Sequence, residues 1–227
     1  MVKISSTNLL SDANILGAWN LATNSNDSVG SNNGTDTSIT YSSQNKKYDG
    51  VAYFNGTSSY IDVTNGINLT GDFTLAGWVF PQVSYPDTQY RIFLAKDNTG
   101  QRQFTAGLTD TGHAYFERAG TAILNSGAGT SGAVANPYSW THMVFTYNST
   151  TITSYMSGVS NISNAMSTLP SATSNVTFGK RLIDGIYFKG GLENWAIFNR
   201  VLTDAEITLL AKDPLITRNM YLKQGFQ

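Results

Sequence analysis

The sequence contains no cysteine, which excludes disulfides, thiol nucleophiles and cysteine–zinc sites. Histidine occurs only at His113 and His142, too few for a multi-histidine metal centre. Charged residues make up 13% of the 227 positions, about half the share usual in globular proteins. Glutamate is scarcest, at Glu117, Glu193 and Glu206 only. The chain therefore lacks the Glu/Lys/Ala material of exposed helices, and a helical bundle is excluded. A net charge of −1 and a pI near 6.1 leave no basic field for nucleic acid or an anionic membrane, so neither is expected as a partner. No run approaches the roughly 18 apolar residues of a membrane span. The opening MVKISSTNLLSDANILG has one lysine and no sustained apolar core, and is not expected to act as a secretory signal.

Serine (23), threonine (27) and asparagine (21) take the place of the missing charges. Hydrophobic residues at 41% still supply a globular core. Abundant Thr, Tyr, Phe and Gly predict an all-β chain with many turns. Strand-like runs are Ile15–Leu21, Ser38–Ser42, Val51–Asn55, Tyr60–Val63, Phe73–Phe80, Ile92–Lys96, Phe104–Leu108, Ala114–Arg118, Thr141–Tyr147, Thr151–Met156, Val176–Gly179 and Gly191–Phe198. Asn33-Gly34, Asn55-Gly56 and Asn65-Gly66 mark tight turns, since both residue types tolerate positive φ. Asn125–Asn136, built of small residues, is expected to be an exposed, mobile loop. One helix is legible. Thr203 and Glu206 form a capping box, Ile207, Leu209 and Leu210 supply an apolar face, and Pro214 ends it. No internal repeat or linker divides the chain. The expected organisation is an N-terminal arm (1–13), one domain (14–213) and a C-terminal tail (214–227).

Three segments together resemble the laminin G-like, concanavalin A-like lectin/glucanase jelly rolls. ILGAWNLATNSNDSVGSNNGTDTSITYS resembles their opening strand and D-x-x-G-x-x-N-G-T loop. DGVAYFNGTSSYIDV and FTLAGWVFP resemble the F-[DN]-G turn and the F-T-[IL]-x-x-W-V strand. FKGGLENWAIFNRVLTDAEI resembles the closing signature. The resemblance runs from about Ile15 to Leu210 and implies a two-sheet antiparallel β-sandwich, which the strand and turn pattern supports independently.

The resemblance also implies a structural calcium joining the Asp27–Gly34 loop to the closing strand, with Asp27, Asn32, Asn33 and Glu193 as ligands. The loop DSVGSNNG offers oxygen donors and glycines suited to a hard cation. Its alternative is a turn-rich loop in which Asp27 caps backbone N–H groups. Retaining glucanases on this fold place paired carboxylates on one strand. Neither Glu117 nor Glu193 has an acidic neighbour within three residues, so the chain is expected not to be an enzyme. Trp19, Trp78, Trp140 and Trp195 fall in strand runs and read as core. Loop aromatics Tyr85, Tyr90 and Tyr138 are the better candidates for stacking on a sugar.

The expected function is a non-catalytic structural or attachment protein of a virus particle, of the capsid decoration or fibre type. Free-standing laminin G-like domains of this kind occur among phage structural proteins, and the absent secretory signal and cysteines agree. Expected partners are other virion subunits, further copies of this chain in a homo-oligomer, and surface glycans. The alternative is a carbohydrate-binding module of a secreted or cell-surface protein. The tail residues Leu215, Ile216, Met220, Tyr221, Leu222 and Phe226 would form an apolar patch. They read as an assembly contact or, alternatively, as a segment folded back over an open sheet edge.

Overall fold

Short apolar runs separated by Gly, Asn and Ser leave the chain one economical way to bury its aromatics, which is to pair strands into sheets and press two sheets together. A computed structural model describes residues 9–64, 66–86, 89–98, 101–125 and 132–212. The strands in chain order begin with β1 (Ile15–Trp19), β2 (Gly34–Thr37), β3 (Thr40–Ser42), β4 (Val51–Asn55), β5 (Tyr60–Val63) and β6 (Phe73–Pro81). Next come β7 (Arg91–Asn98), β8 (Gln101–Leu108), β9 (Ala114–Arg118), β10 (Thr121–Asn125), β11 (Thr141–Tyr147) and β12 (Thr151–Met156). The last are β13 (Val159–Ala165), β14 (Val176–Phe178), β15 (Lys180–Arg181), β16 (Ile186–Tyr187) and β17 (Lys189–Phe198), before helix α1 (Asp204–Lys212).

One sheet runs β13-β12-β11-β6-β17-β4-β3, with β1 pairing on β17. The other runs β10-β9-β8-β7-β14-β5-β2. Every pairing is antiparallel. The first will be called the large sheet and the second the small sheet. Between them lie alternate residues of facing strands, among them Phe73, Leu75, Phe93, Phe104, Phe116, Phe145, Phe178, Trp195 and Ile197. Phe93 packs on Trp195 with ring centroids 5.2 Å apart, and Phe116 on Phe145 at 5.6 Å. Each such side chain contributes about 1.5–3 kcal/mol by leaving water.

The central strand β6 is buried on both faces. Its second face is covered by α1 and the opening segment, where Leu9, Ala76, Val144, Ala196, Phe198, Ile207 and Leu210 form a second apolar cluster. The capping box is formed: the Thr203 N–H donates to Glu206 Oε2 at 2.7 Å, and the Glu206 N–H to Thr203 Oγ1 at 3.3 Å. Arg200 joins Glu206 to Asp12, tying the opening segment to the helix start. Leu209 is half-buried rather than part of the buried face, and Pro214 lies outside the described residues.

Several strands escaped the sequence pattern. β2, β10, β13 and the β15–β16 hairpin are short or rich in Ser, Thr and Asn, and they lie at sheet edges or on a surface where no apolar alternation is required. Asn33-Gly34 opens β2 instead of making a hairpin turn. Its glycine is needed because a Cβ would collide with Ile61 and Ser25. Gly56 does adopt the left-handed conformation, at φ 83°. The loop expected to be exposed and mobile is anchored at its described end. The Ala135 N–H donates to the Gly112 carbonyl at 2.9 Å, and Ala135 is fully buried, so the exposed reading fails there. Trp140 precedes β11 rather than lying inside a strand, and it is half-buried on the outer face of the large sheet.

Candidate functional site

Strand β17 carries a bulge that decides where its acidic residue goes. In strict alternation Glu193 and Trp195 would share a face. Asn194 adopts φ 52°, and the register against β6 slips between Glu193 and Ala196. The extra residue turns Trp195 into the core and Glu193 onto the outer face. Gly77 opposite leaves room for the Trp195 indole, which a Cβ would strike.

On that outer face Glu193 is fully buried beneath residues 47–49. Oε2 accepts the Lys47 N–H at 2.8 Å, and Oε1 accepts those of Tyr48 at 2.9 Å and Asp49 at 3.0 Å. Burial raises its carboxyl to about 7, against the opposing pull of the three N–H groups. The same loop seals Trp78. The Tyr48 ring meets it edge-on at 5.5 Å, and Lys47 Nζ lies 4.5 Å from its centroid. His142, 5.1 Å from Trp78, is held neutral because burial pushes it down to about 3.

Asp27 is bound in the same manner. Oδ1 accepts the N–H groups of Ala18 at 3.0 Å and Val29 at 3.1 Å, and Oδ2 that of Asn32 at 3.1 Å. Asn33 Oδ1 accepts the Asp27 N–H, and Asn32 Nδ2 donates to the Leu16 carbonyl. The loop thus brings Asp27, Asn32 and Asn33 together, while Glu193 sits in a separate nest. Both carboxylates accept backbone N–H groups. Among the described residues no three His, Asp or Glu side chains gather as a metal group. The N–H groups of Ala18, Val29 and Asn32 on Asp27 are those of the capping reading of the loop.

The three candidate tyrosines have different fates. Tyr85 packs against Gly112, and burial pushes its phenol up to about 12. Tyr90 stacks on Tyr115 with centroids 4.4 Å apart, so one ring face is taken. Tyr138 is 60% exposed and adopts φ 55°, with its N–H donating to the Pro81 carbonyl at 2.8 Å. Its neighbourhood in the chain includes exposed Val134 and half-buried Trp140, which packs on Phe80 at 5.3 Å. The structure therefore offers Tyr138 as a free aromatic and uses the other two in packing.

The outer face of the small sheet holds an ion network that the sequence reading missed. Glu117 Oε2 accepts from Arg181 Nη1 at 2.8 Å and from the Tyr115 hydroxyl at 2.6 Å, while Oε1 accepts from Arg102 Nη1 at 3.1 Å. Arg181 also binds Asp184, and Asp97 accepts the N–H groups of Leu182 and Ile183. These contacts fasten the β15–β16 hairpin onto β7 and β9. Its signal was Asp184-Gly185, with Gly185 at φ 65°. Beside it Lys180 Nζ lies 4.4 Å from the Tyr60 centroid and 5.1 Å from that of Tyr187.

Residues 55–208 match the family model for the concanavalin A-like lectin/glucanases superfamily. Among solved structures, domain 4 of AbnA, a GH43 extracellular arabinanase from Geobacillus stearothermophilus in complex with arabinotriose, has a TM-score of 0.66 at 20% identity. That match covers 87% of this chain and 98% of the other. The binding domain of Paraclostridial Mosquitocidal Protein 1 has a TM-score of 0.65 at 18% identity, covering 87% of this chain and 52% of that one. A Trypanosoma rangeli sialidase mutant displaying trans-sialidase activity has a TM-score of 0.66 at 13% identity, covering 92% of this chain and 33% of the other. The chain thus spans about half of the toxin binding domain and a third of the sialidase. A search of curated proteins found no match. At these identities the likeness is one of fold. With well over half its length under the family model, the chain belongs to the concanavalin A-like lectin/glucanases superfamily.

Proposed function

We propose that this chain is a non-catalytic glycan-binding domain whose contact surface includes Tyr138. The observation that carries the reading is a 60% exposed tyrosine held at positive φ by a backbone hydrogen bond. A non-glycine residue in that conformation costs on the order of 1–3 kcal/mol, and such strain concentrates at ligand contacts. A fixed, exposed aromatic offers a face to a sugar ring at little entropic cost. The arabinanase domain bound to arabinotriose and the toxin binding domain support recognition as the use of this fold. Against catalysis stands the employment of every glutamate. Glu117 is committed to arginines, Glu193 to backbone N–H groups and Glu206 to the helix cap and Arg200.

Glycan-array binding followed by titration calorimetry tests the proposal. Tyr138→Ala should weaken the best glycan at least tenfold without lowering the melting temperature. Equal affinity in the variant would place recognition elsewhere, and release of reducing ends from that glycan would make the chain an enzyme.

The finer reading is attachment or decoration on a virus particle, with the domain presented to host glycans; the alternative is a module of a secreted protein. A composition low in charge and rich in Ser, Thr and Asn, together with the absence of cysteine, supports the first. Mass spectrometry of purified intact particles distinguishes them, since a secreted module would be absent from the particle.

A further inference from the structure

The β15–β16 hairpin makes a step on the outer face of the small sheet. It leaves β14 at Gly179, whose φ is 76°, and returns at Phe188, whose N–H donates to the Gly179 carbonyl at 2.9 Å. From there it lies over β7, with Ile186 against Ile92, Ala95 and Tyr115, and with Arg181 tied to Glu117 on β9. The sheet continues the other way, past β14 to β5 and β2. On β5 Ile61 and Val63 enter the core, so Tyr60 and Asp62 turn outward. Thr35 and Thr37 of β2 stand opposite Asp62 and Tyr60 on the same face. The hairpin is thus a wall and the end of the sheet a floor. Lys180 and Tyr187, paired at the foot of the hairpin, stand where the two meet.

Two charges in this corner are unspent. Asp62 Oδ1 is buried and meets no hydrogen-bond donor among the described residues. Thr177, its cross-strand neighbour on β14, gives its hydroxyl to the Lys180 carbonyl at 2.8 Å instead. Neither Asp62 nor Lys180 enters an ion pair among the described residues. The Lys180 ammonium lies over the Tyr60 and Tyr187 rings, and all four side chains are half-buried. A carboxylate oxygen taken from water without a donor is unfavourable for folding alone, and such groups gather where a ligand supplies the missing bond.

We propose that this corner, formed by Tyr60, Asp62, Lys180 and Tyr187, is a second glycan site, and that it takes a neutral sugar residue with vicinal hydroxyls. The inference rests on the glycan-binding reading above but lies on the other sheet from Tyr138. Ring faces that hold an ammonium by their negative quadrupole also suit the weakly positive C–H face of a sugar. A hydroxyl both donates and accepts, so one can give its proton to Asp62 while its neighbour accepts from Lys180. A sugar carboxylate would meet Asp62, and an amino sugar would meet Lys180, each with like charge. The wall is fixed before binding by Arg181 on Glu117 and by the Leu182 and Ile183 N–H groups on Asp97, so little ordering is left for the ligand to bring about.

Amide chemical shifts of the full chain, titrated with cellotriose, xylotriose, mannotriose and galactotriose and with trigalacturonate as the acidic control, test this. At least one neutral trisaccharide should shift the amides of 60–62, 177–180 and 187, and trigalacturonate should bind these positions about tenfold more weakly or not at all. Asp62→Asn and Lys180→Met should each weaken that binding about tenfold. Asp62→Asn should also keep or raise the melting temperature, because it removes a buried charge that has no partner; a lowered one with unchanged binding would make Asp62 structural and overturn the site. Corner shifts that persist in Tyr138→Ala support the site whether or not Tyr138 binds anything. Shifts confined to residues near 138 and lost in Tyr138→Ala would overturn the corner and leave the first reading standing. No shift at the corner with any neutral sugar would overturn it, and tight trigalacturonate binding lost in Lys180→Met would overturn its neutral class.

Discussion

Two of the three glutamates are buried on opposite outer faces of the sandwich, and they are held in contrasting ways. Glu193, on the large sheet, is met by backbone N–H groups of a single loop. Glu117, on the small sheet, is met by two arginines and a tyrosine from three strands, β8, β15 and β9. The first arrangement attaches a loop to a sheet without any counter-charge. The second attaches a hairpin to a sheet through paired charges, each removed from water and dependent on the other. The two faces should therefore fail under different insults.

Breaking the ion network should have the largest effect. Arg181→Ala leaves buried Glu117 without its closest cation, and an uncompensated buried charge costs about 3–5 kcal/mol. Urea unfolding measures it, and the double variant Arg181→Met/Glu117→Gln should recover much of the loss. A single variant as stable as wild type would show that Arg102 alone suffices.

Next is Glu193→Ala, which orphans three N–H donors, each costing about 1–3 kcal/mol if no water reaches it. Glu193→Gln keeps an acceptor and should lose less. The pH dependence sharpens the contrast. Burial raises the folded carboxyl from 4.5 to about 7, so the folded state holds this proton more tightly than the unfolded chain. Its contribution is fully present below about pH 4.5 and declines as pH rises to 7. The stability difference between wild type and Glu193→Gln should shrink across that window. A flat difference would mean the three N–H groups balance burial.

Asp27 is the smaller relative of Glu193, a carboxylate anchoring one loop through N–H groups. Asp27→Ala should cost about 1–3 kcal/mol by thermal unfolding. Chelator should leave the wild-type melting temperature unchanged. A rise with added calcium would make these carboxylates ligands after all. The smallest effect belongs to the third glutamate's partner. Thr203→Ala removes one side of the capping box and should cost about 1 kcal/mol, with strands unaffected in the circular dichroism spectrum.

The features legible in the chain were those written in local chemistry. Thr203 and Glu206 announced the helix start because a cap needs only residues three apart. Phe73–Phe80 announced a strand, and its near-continuous apolar run is what burial on both faces requires. The composition excluded a helical bundle and disulfides before any strand was placed. Tyr138 was legible as a loop aromatic, but so were Tyr85 and Tyr90, and nothing local separates an exposed ring from one stacked on Tyr115.

Tertiary structure alone decided the rest, because long-range pairing sets which groups meet. Strand β13 has too few apolar residues to be read as a strand, and it exists because β12 offers it a ladder. Glu117 and Arg181 are 64 positions apart, and only the β15–β16 hairpin folding over the small sheet makes them a pair. The face on which Glu193 lies depends on one bulge at Asn194, whose backbone is shaped by the register of β17 against β6. Alternation in the sequence specifies that a strand has two faces. The register and its slips, which minimise voids between sheets, specify which residue each face receives.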